Sequence, residues 1–495
     1  MVALRTSHFA LRTYGAQRVF RGHRGCDASR GVYGSAPPHE RRNLPMEQRY
    51  DVIILGMGPG GEVAVTQLIA AGKRVAAVER ELVGGECAYW ACIPSKTLLR
   101  PPEARAEAAR VAGVSTPTLD WPAAAAARDE SIEHLDDSKS VQSYRDQGVT
   151  VFKGRGRITG RGMVEVNGQT LHADHVIIAT GSDSAIPPIA GLDNVPYWTN
   201  RQATTMSTPP RSIIIVGGGP VALEQSQTMA RFGTHVTIVQ SADRLIDREE
   251  PQVSDLISKV LAADGITVHL GRQVKAARRG GEGVIATLDD DTTLTAAVLL
   301  IATGRAPRVR DIGLESLGIT PDEKGIKIDD QCRVTEGVWA VGDVTNRAPL
   351  THVAQYQARV VAANILGTPM HADYRAIPRV VFTDPEIAAV GLTAQEAEEQ
   401  GLIVGTATVD LAEEISRPVT YERAPHDEMM GLIADRGRGV LVGAWAVAPL
   451  AGEWLQLATV AIRAEIPLAT LHDTMFQFPT FAEAFWYGVD KLYKL

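Results

Sequence analysis

Two short apolar runs, each followed by a glycine-rich turn and a helical pattern, are the strongest features of the hydrophobic pattern. The first covers residues 51–55 and the second residues 212–216, about 160 positions later. Short apolar runs bounded by glycine are typical of buried parallel strands, because helices cover both faces of such a sheet. The repeat predicts an α/β fold with two Rossmann-like nucleotide-binding domains.

The first glycine-rich turn matches a dinucleotide-binding pattern. Gly56, Gly58 and Gly61 have the spacing G-x-G-x-x-G, which provides a tight turn, close approach of a pyrophosphate and close packing of helix on strand. The next apolar strand, residues 74–78, ends at Glu79, where a carboxylate accepts hydrogen bonds from ribose hydroxyls. Strand, turn, helix and acid together predict a dinucleotide site.

The second glycine-rich turn repeats the pattern with one permitted change. Gly217 and Gly219 hold the first two glycine positions, and Ala222 replaces the third. Two nucleotide modules in one chain indicate a tightly held flavin, FAD, and a nicotinamide donor.

The strand after the second turn indicates which nicotinamide donor binds. Residues 235–239 are followed by Gln240 and Ser241 instead of an acidic residue. Without a carboxylate a 2'-phosphate is not repelled, and Arg244 or Arg248 can offer it a charged fork. The pattern favours NADPH as the electron donor, and NADH remains an alternative.

The overall composition is that of an ordinary globular chain. The 495 residues are 45% hydrophobic and carry 50 basic against 58 acidic side chains, a formal net charge of -8. This balance argues against a nucleic-acid surface driven by net charge. No uninterrupted apolar run reaches the length of a membrane span, so no membrane association is predicted and a cytoplasmic location is expected.

The N-terminal segment differs from the rest in charge. Residues 1–45 contain eight arginines, no lysine and only Asp27 and Glu40 as acids, which gives +6. Such a leader resembles an organelle transit peptide but lacks a persistent amphipathic repeat. Residues 1–46 are therefore predicted to be a disordered extension in preference to a targeting segment.

Two of the four cysteines lie close together after the first nucleotide module. Cys87 and Cys92 are five positions apart, and so close a pair forms a disulfide only in a distorted helical turn, which suits a reducible bond. Pro94 fits the first turn of a following helix, so Cys92 is expected at the positive end of a helix dipole. No metal site is predicted, since further ligands at suitable spacing are missing. Tyr89 and Trp90 are interpreted as packing aromatics.

At these residues the chain resembles the flavin-dependent pyridine nucleotide-disulfide oxidoreductases, the family of dihydrolipoyl dehydrogenase, glutathione reductase and mercuric reductase. The resemblance runs from about residue 48 to residue 490 and includes the motifs ATGS at 179–182, ATGR at 302–305 and AVGD at 340–343. It implies a two-part FAD-binding domain at 47–195 and 319–374, an NAD(P)-binding domain at 196–318 and a C-terminal α+β dimerisation domain at 375–495.

The resemblance also implies roles for individual residues. Cys92 is the charge-transfer thiol beside the flavin, and Cys87 is the interchange thiol that faces the acceptor. Lys96 pairs with Glu224 beside the flavin N5, where a cation stabilises developing negative charge, and Asp343 contacts the ribityl chain. The other cofactor-binding positions implied are Gly85, Gly156, Thr180, Gly181 and Gly304.

The C-terminal motif departs from the family pattern. Members close with His-Pro-Thr-x-x-Glu, in which a histidine of one subunit, oriented by the glutamate, acts as acid and base at the partner's interchange thiol. The resemblance thus implies a homodimer with shared active sites, but this chain has Phe478 and Glu483 at the two positions. Phenylalanine carries no proton, so ordinary disulfides, whose leaving thiolate needs one, are expected to react poorly. His472 remains an alternative proton donor, although it is interpreted as a structural residue.

Together these observations predict an FAD-dependent NAD(P)H oxidoreductase that passes electrons through Cys87 and Cys92 to a small-molecule acceptor. The alternatives are an activity like that of dihydrolipoyl dehydrogenase or mercuric reductase, a non-catalytic nucleotide-binding redox sensor, and a diaphorase acting directly from flavin. A further alternative is an enzyme like the carboxylating 2-oxopropyl-coenzyme M reductase, which shares Ala91 and Phe478. Efficient mercury handling is not expected, because residues 490–495 lack the C-terminal cysteine pair of mercuric reductases.

Overall fold

The computed structural model describes residues 49–281, 283–422 and 427–495, so the predicted N-terminal extension lies outside the described residues. The first part of the chain alternates strands and helices, as the sequence predicts. Its elements are β1 (Arg49–Leu55), α1 (Pro59–Ala70), β2 (Val75–Glu79), α2 (Gly85–Tyr89), α3 (Cys92–Arg110), α4 (Trp121–Ser131), α5 (Ser138–Asp146), β3 (Thr150–Lys153), β4 (Gly156–Gly160), β5 (Met163–Val166), β6 (Gln169–Ile178) and β7 (Ser182–Ser184).

The parallel strands β3, β2, β1 and β6 lie side by side at the centre of this part. Val52 and Ile54 of β1 pack in the cluster that contains α1, whereas Ile53 and Leu55 pack in the cluster that contains β4 and β5. Both faces of the strand are therefore buried from Val52 to Leu55, which explains why these four residues are all apolar.

The second nucleotide-binding part is built on another parallel sheet. Its elements are β8 (Tyr197–Trp198), α6 (Asn200–Thr205), β9 (Ser212–Val216), α7 (Pro220–Arg231), β10 (His235–Gln240), α8 (Pro251–Ala263), β11 (Thr267–Leu270), β12 (Val274–Gly280), β13 (Gly283–Leu288), β14 (Thr293–Ala296), β15 (Val298–Ile301) and β16 (Arg305–Pro307). The sheet has the order β11-β10-β9-β15-β8, and all of its pairings are parallel. Strands β12, β13 and β14 form a separate antiparallel sheet.

The chain then returns to the first sheet and ends in an antiparallel one. The returning elements are β17 (Arg333–Thr335), β18 (Val338–Ala340) and α9 (Thr351–Ile365), and β18 pairs in parallel with β6. The C-terminal elements are β19 (Pro378–Val381), β20 (Glu386–Gly391), α10 (Ala394–Glu399), β21 (Val404–Asp410), α11 (Leu411–Glu414), α12 (Arg417–Tyr421), β22 (Met429–Asp435), β23 (Val440–Ala448), α13 (Ala451–Trp454), α14 (Gln456–Arg463), α15 (Leu468–His472) and α16 (Glu483–Tyr493).

The C-terminal sheet has the order β19-β20-β23-β22-β21, with antiparallel pairing throughout. Helices α14 and α16 pack on it and bury Ala458 and Phe485. The predicted fold class, two Rossmann-like parts followed by an α+β part, is confirmed. Within the described ranges, no helix combines the length and the apolar character that a membrane crossing requires.

Candidate active site

The two nucleotide turns form tight backbone cradles in which the first glycine is required. Gly56 has a φ of +107° and Gly217 a φ of +116°, in the region that favours glycine. A Cβ atom on Gly56 would lie 2.3 Å from the carbonyl oxygen of Ala179, and one on Gly217 would lie 2.4 Å from that of Ala302. Each turn is thus packed against the end of a neighbouring strand, and the N-termini of α1 and α7 face a shared cavity, as phosphate binding requires.

Glu79 ends β2 as a buried carboxylate with a fixed orientation. Its two oxygens accept hydrogen bonds from the backbone N–H groups of Met57 and Glu81, each at 2.7 Å. A carboxylate held this way at the cavity wall can accept further hydrogen bonds from ribose hydroxyls. Glu79 and the glycine cradle therefore fit the adenosine half of FAD.

A cavity of about 1420 Å³ joins the two nucleotide turns to the cysteine pair. Pockets for one drug-sized ligand measure roughly 300–1,000 Å³, so this cavity is large enough for a flavin and a nicotinamide nucleotide. Most predicted site residues line it, namely Gly56, Gly58, Glu79, Gly85, Cys87, Cys92, Lys96, Gly156, Thr180, Gly181, Gly217, Gly219, Glu224, Gln240, Ser241, Gly304 and Asp343.

Two predicted cofactor-binding residues serve helix packing instead of lining the cavity. A Cβ atom on Gly61 would lie 2.1 Å from the carbonyl oxygen of Gly56, so Gly61 lets α1 pack closely on its turn. Ala222 is fully buried in α7. Both residues occupy the third position of the glycine pattern, where helix packing is the expected task.

Arg244 also lies away from the cavity wall. Its Nη2 donates a hydrogen bond to the carbonyl oxygen of Asp247 at 2.6 Å, because the loop after β10 folds back on the guanidinium. Arg248 and Arg272 line the cavity in its place. The sequence singled out Arg248 as the other candidate for a 2'-phosphate, but gave no indication of Arg272.

Cys87 and Cys92 belong to two separate helices. Cys87 lies in α2, and Cys92 is the first residue of α3, a helix of 19 residues. The helical path is interrupted at Trp90 and Ala91, which gives the distorted turn predicted between the thiols. Cys92 therefore lies at the positive end of a long helix dipole, and Pro94 occupies the first turn, where its missing N–H is tolerated.

The two thiols differ in their tendency to ionise. A hydrogen bond between the two sulfurs lowers the pKa of Cys92 and raises the pKa of Cys87. Burial opposes ionisation of both thiols. The Thr351 hydroxyl, 3.4 Å from the Cys92 sulfur, and the charge of Lys96 lower the pKa of Cys92 further. The position at the start of α3, the Thr351 hydroxyl and the Lys96 charge therefore favour ionisation of Cys92 over ionisation of Cys87.

Lys96 and Glu224 join the two nucleotide-binding parts beside the thiols. Lys96 lies one turn after Cys92 on α3, and its Nζ donates to the two carboxylate oxygens of Glu224 on α7, at 2.9 and 2.7 Å. The same Nζ lies 4.6 Å from the ring centre of Phe382, whose backbone N–H donates to Glu224 at 3.1 Å. A buried carboxylate and an aromatic face thus fix the ammonium group.

The far ends of α3 and α7 are held together by a single buried carboxylate. Arg110, the last residue of α3, donates to both oxygens of Asp384 at 3.0 and 2.8 Å, and Arg231, the last residue of α7, donates to Asp384 at 2.8 Å. Burial acts to raise the pKa of Asp384, but the two arginines outweigh it and the pKa is lowered. This contact joins the C-terminal ends of the two helices whose N-terminal parts carry the site residues.

The C-terminal segment presents an apolar side chain where the resemblance expects histidine. Phe478 is 71% exposed. Glu483 begins α16, burial raises its pKa, and one of its oxygens is buried without a hydrogen-bond partner among the described residues. The Nε2 of His472 lies 3.0 Å from Asp490, and its ring stacks on Tyr493. These contacts support the interpretation of His472 as a structural residue.

The fold and the site define a flavoprotein disulfide oxidoreductase, and comparison with known proteins gives its family. Residues 50–358 match the family described as pyridine nucleotide-disulphide oxidoreductase, and residues 377–488 match the dimerisation domain of that family. The chain therefore belongs to the pyridine nucleotide-disulphide oxidoreductases. It is an enzyme that uses FAD and NAD(P)H, and its dimerisation domain indicates a homodimer.

Similar proteins include mercuric reductases and a dihydrolipoyl dehydrogenase. The mercuric reductase of Streptomyces lividans is 38% identical over 451 residues, covering 88% of this chain and 94% of the relative. The dihydrolipoyl dehydrogenase of Haloferax volcanii is 31% identical over 454 residues, covering 88% of this chain and 94% of the relative. Among solved structures, the HOCl-induced flavoprotein disulfide reductase RclA from Escherichia coli has a TM-score of 0.79 at 26% identity, covering 90% of this chain and 100% of that one.

Thr351 is a site residue that the sequence does not indicate, because only the fold brings it to Cys92, 259 positions away. Thr351→Val removes a hydroxyl that stabilises the thiolate, so the pKa of Cys92 should rise. We expect the midpoint of the thiolate-to-flavin absorbance of the reduced enzyme to move to higher pH by about one pH unit.

Ser95→Ala is the matched control, because the Ser95 hydroxyl donates to the Cys92 carbonyl oxygen at 3.3 Å and not to the sulfur. Its midpoint should stay at the wild-type value. An unchanged midpoint in Thr351→Val would contradict the assignment of Thr351.

Proposed function

We propose that this enzyme takes two electrons from NADPH, passes them to the Cys87–Cys92 pair, and delivers them to a small-molecule acceptor that needs little general-acid assistance. The observation that carries the proposal is the position of Cys92. It begins α3, lies beside Thr351 and is one helical turn from Lys96. These surroundings favour the thiolate that reduction of a disulfide leaves behind.

FAD, when bound in this cavity, would supply the two-electron carrier between the nicotinamide and the sulfur pair. Glu79 would hold the adenosine ribose. Asp343, which accepts a hydrogen bond from Ser182 at 2.5 Å, would hold the ribityl chain. Lys96, fixed by Glu224, would place a positive charge where negative charge develops during transfer.

The electron balance fixes the state of the sulfur pair after reduction. The hydride of NADPH carries two electrons and one proton, so its net consumption breaks the S–S bond and leaves one thiolate and one thiol. The thiolate is assigned to Cys92 and the proton to Cys87, and this is supported by the place of Cys92 at the start of α3 beside the Thr351 hydroxyl. The acceptor then takes both electrons, the S–S bond forms again, and the Cys87 proton leaves to the acceptor or to solvent.

The assignment of NADPH is supported by the residues around the second nucleotide turn. Gln240 ends β10 without a carboxylate and donates to the carbonyl oxygen of Arg244 at 3.3 Å. Ser241, Arg248 and Arg272 line the cavity. A hydroxyl and two guanidinium groups suit the dianionic 2'-phosphate.

The acceptor class is supported by Phe478. In a homodimer with active sites shared across the interface, Phe478 of the partner subunit would face Cys87, and no proton would come from that position. Mercuric ion, which the sequence alone does not favour as an acceptor, is a second candidate, because the chain is similar to the Streptomyces lividans mercuric reductase. It is a soft ion that thiolates bind directly, so its reduction needs no proton donor at this position.

Anaerobic titration of the FAD-loaded, full-length enzyme with NADPH and with NADH tests the proposal. We expect NADPH to produce a long-wavelength thiolate-to-flavin absorbance. We also expect kcat/KM for NADPH to exceed that for NADH by about tenfold or more, since a charge-assisted hydrogen bond to the 2'-phosphate contributes that much. Loss of flavin absorbance without the long-wavelength band would contradict the relay, and equal use of both nucleotides would contradict the donor assignment.

A further inference from the structure

The backbone between the two cysteines is held by the first helix of the second nucleotide-binding part. The carbonyl oxygen of Trp90 accepts hydrogen bonds from Asn200 Nδ2 at 2.8 Å and from Thr204 Oγ1 at 3.1 Å. Asn200 and Thr204 are both buried in α6. The turn that joins Cys87 to Cys92 is therefore attached to an element more than a hundred residues away along the chain.

Arg201, also on α6, contacts this turn at two further points. Its guanidinium lies 4.0 Å from the centre of the Trp90 ring, and it donates to Glu86, the residue before Cys87, at 2.6 and 3.2 Å. It also forms a bidentate pair with Glu81, at 2.9 Å for each hydrogen bond. One side chain thus contacts the segment on the Cys87 side and on the Cys92 side.

The electrostatics of the cluster keep Arg201 and its partners ionised. Hydrogen bonds from Arg201 lower the pKa of Glu81. Burial acts to raise the pKa of Glu86, but Arg201, Arg305 and Asn200 lower it overall. A planar guanidinium held by two carboxylates and stacked on an indole has little freedom to move.

Helix α6 is itself anchored at its other end. Arg128 of α4 is almost fully buried, and it donates to the carbonyl oxygen of Thr204 and, at 3.2 Å, to that of Met206. These are the carbonyl groups at the C-terminal end of α6, which have no partner within the helix. The helix that holds the turn is therefore fixed to the first nucleotide-binding part.

We propose that Arg201 is a positioning residue that, through Trp90 and Glu86, fixes the backbone between Cys87 and Cys92 and so sets their disulfide–dithiol equilibrium. The inference rests on the proposed redox role of the pair. Holding two thiols close together raises the effective concentration of each for the other and favours the disulfide. Loosening the turn lowers that effective concentration and should shift the equilibrium towards the dithiol.

The test is the equilibrium of the full-length, FAD-loaded enzyme with mixtures of reduced and oxidised dithiothreitol under anaerobic conditions. Reduced dithiothreitol gives two electrons and two protons to the S–S bond and closes to its own cyclic disulfide. Alkylation followed by mass analysis then counts the free thiols at Cys87 and Cys92. We expect Arg201→Ala to shift the equilibrium constant towards the dithiol by about fivefold or more.

Arg201→Lys should give a smaller shift in the same direction, because lysine keeps the charge but not the bidentate and stacked geometry. Arg333→Ala is the matched control, since it removes another arginine stacked on a tryptophan, 5.0 Å from the Trp339 ring. The control should leave the equilibrium constant unchanged.

If Arg201→Ala does not fold, Trp90→Leu provides the second variant, because it removes the stacked ring while the Arg201 ion pairs remain. It too should shift the equilibrium towards the dithiol. Folded Arg201 and Trp90 variants with the wild-type equilibrium constant would overturn the inference. A wild-type enzyme in which Cys87 and Cys92 never interconvert between disulfide and dithiol would overturn the proposed function instead.

Discussion

The Cys87→Ser enzyme is expected to lose NADPH-dependent reduction of mercuric ion and of small disulfides by about a thousandfold or more, because serine neither forms the S–S bond nor attacks these acceptors. Cys92 would then stay unpaired next to Thr351 and Lys96, whose hydroxyl and charge favour its thiolate. The oxidised variant should therefore show the thiolate-to-flavin absorbance before any NADPH is added. Steady-state NADPH oxidation with each acceptor and a spectrum of the resting enzyme measure the two effects.

Cys332→Ser is the matched control for the loss of one thiol. Cys332 is buried beside the Tyr374 hydroxyl, 3.7 Å from its sulfur, in the turn before β17, and it does not belong to the cavity lining. Its turnover should stay close to that of the wild type. If Cys87→Ser instead kept wild-type turnover with every acceptor, electrons would be leaving directly from the flavin, as in a diaphorase.

The elements that hold the nucleotides could be predicted because their signals are local. The run at 212–216 coincides with β9, and the run at 51–55 lies within β1, which begins at Arg49. A strand covered on both faces is apolar at its buried positions, and the first glycine of the following turn has a conformation that other residues avoid. Such constraints act within a dozen residues, so the sequence displays them directly.

The contacts that surround the thiols could not be predicted in this way. Arg201 and Thr351 stand on helices where a polar residue usually indicates a solvent-exposed face, and only the packing of distant segments brings them to the cysteine turn. Helix α7 shows the same limit, because residues 224–228 are all polar and all buried. The position of Arg244 depends on the path of the loop after β10. The sequence of that loop does not determine its path.

Phe478→His is expected to raise kcat/KM for a small disulfide such as lipoamide by about a hundredfold, because it restores a proton donor for the leaving thiolate. A histidine donates only when protonated, and its ordinary pKa is about 6.5. The gain should therefore be largest at and below that pH and should decline as the pH rises through it. Initial rates with NADPH and lipoamide across this pH range measure the effect, and mercuric ion should show little gain.

Two further variants show whether the gain depends on the position of the histidine. Met475→His places a histidine on the same segment, at a side chain that is 97% exposed, but without the family spacing to Glu483, and it should give no gain. The double variant Phe478→His with Glu483→Gln should lose most of the gain, since Glu483 has an oxygen without a partner among the described residues that can orient the imidazole. A wild-type enzyme that already reduces lipoamide as fast as Phe478→His would mean that another group supplies the proton, and the acceptor class proposed for this enzyme would be wrong.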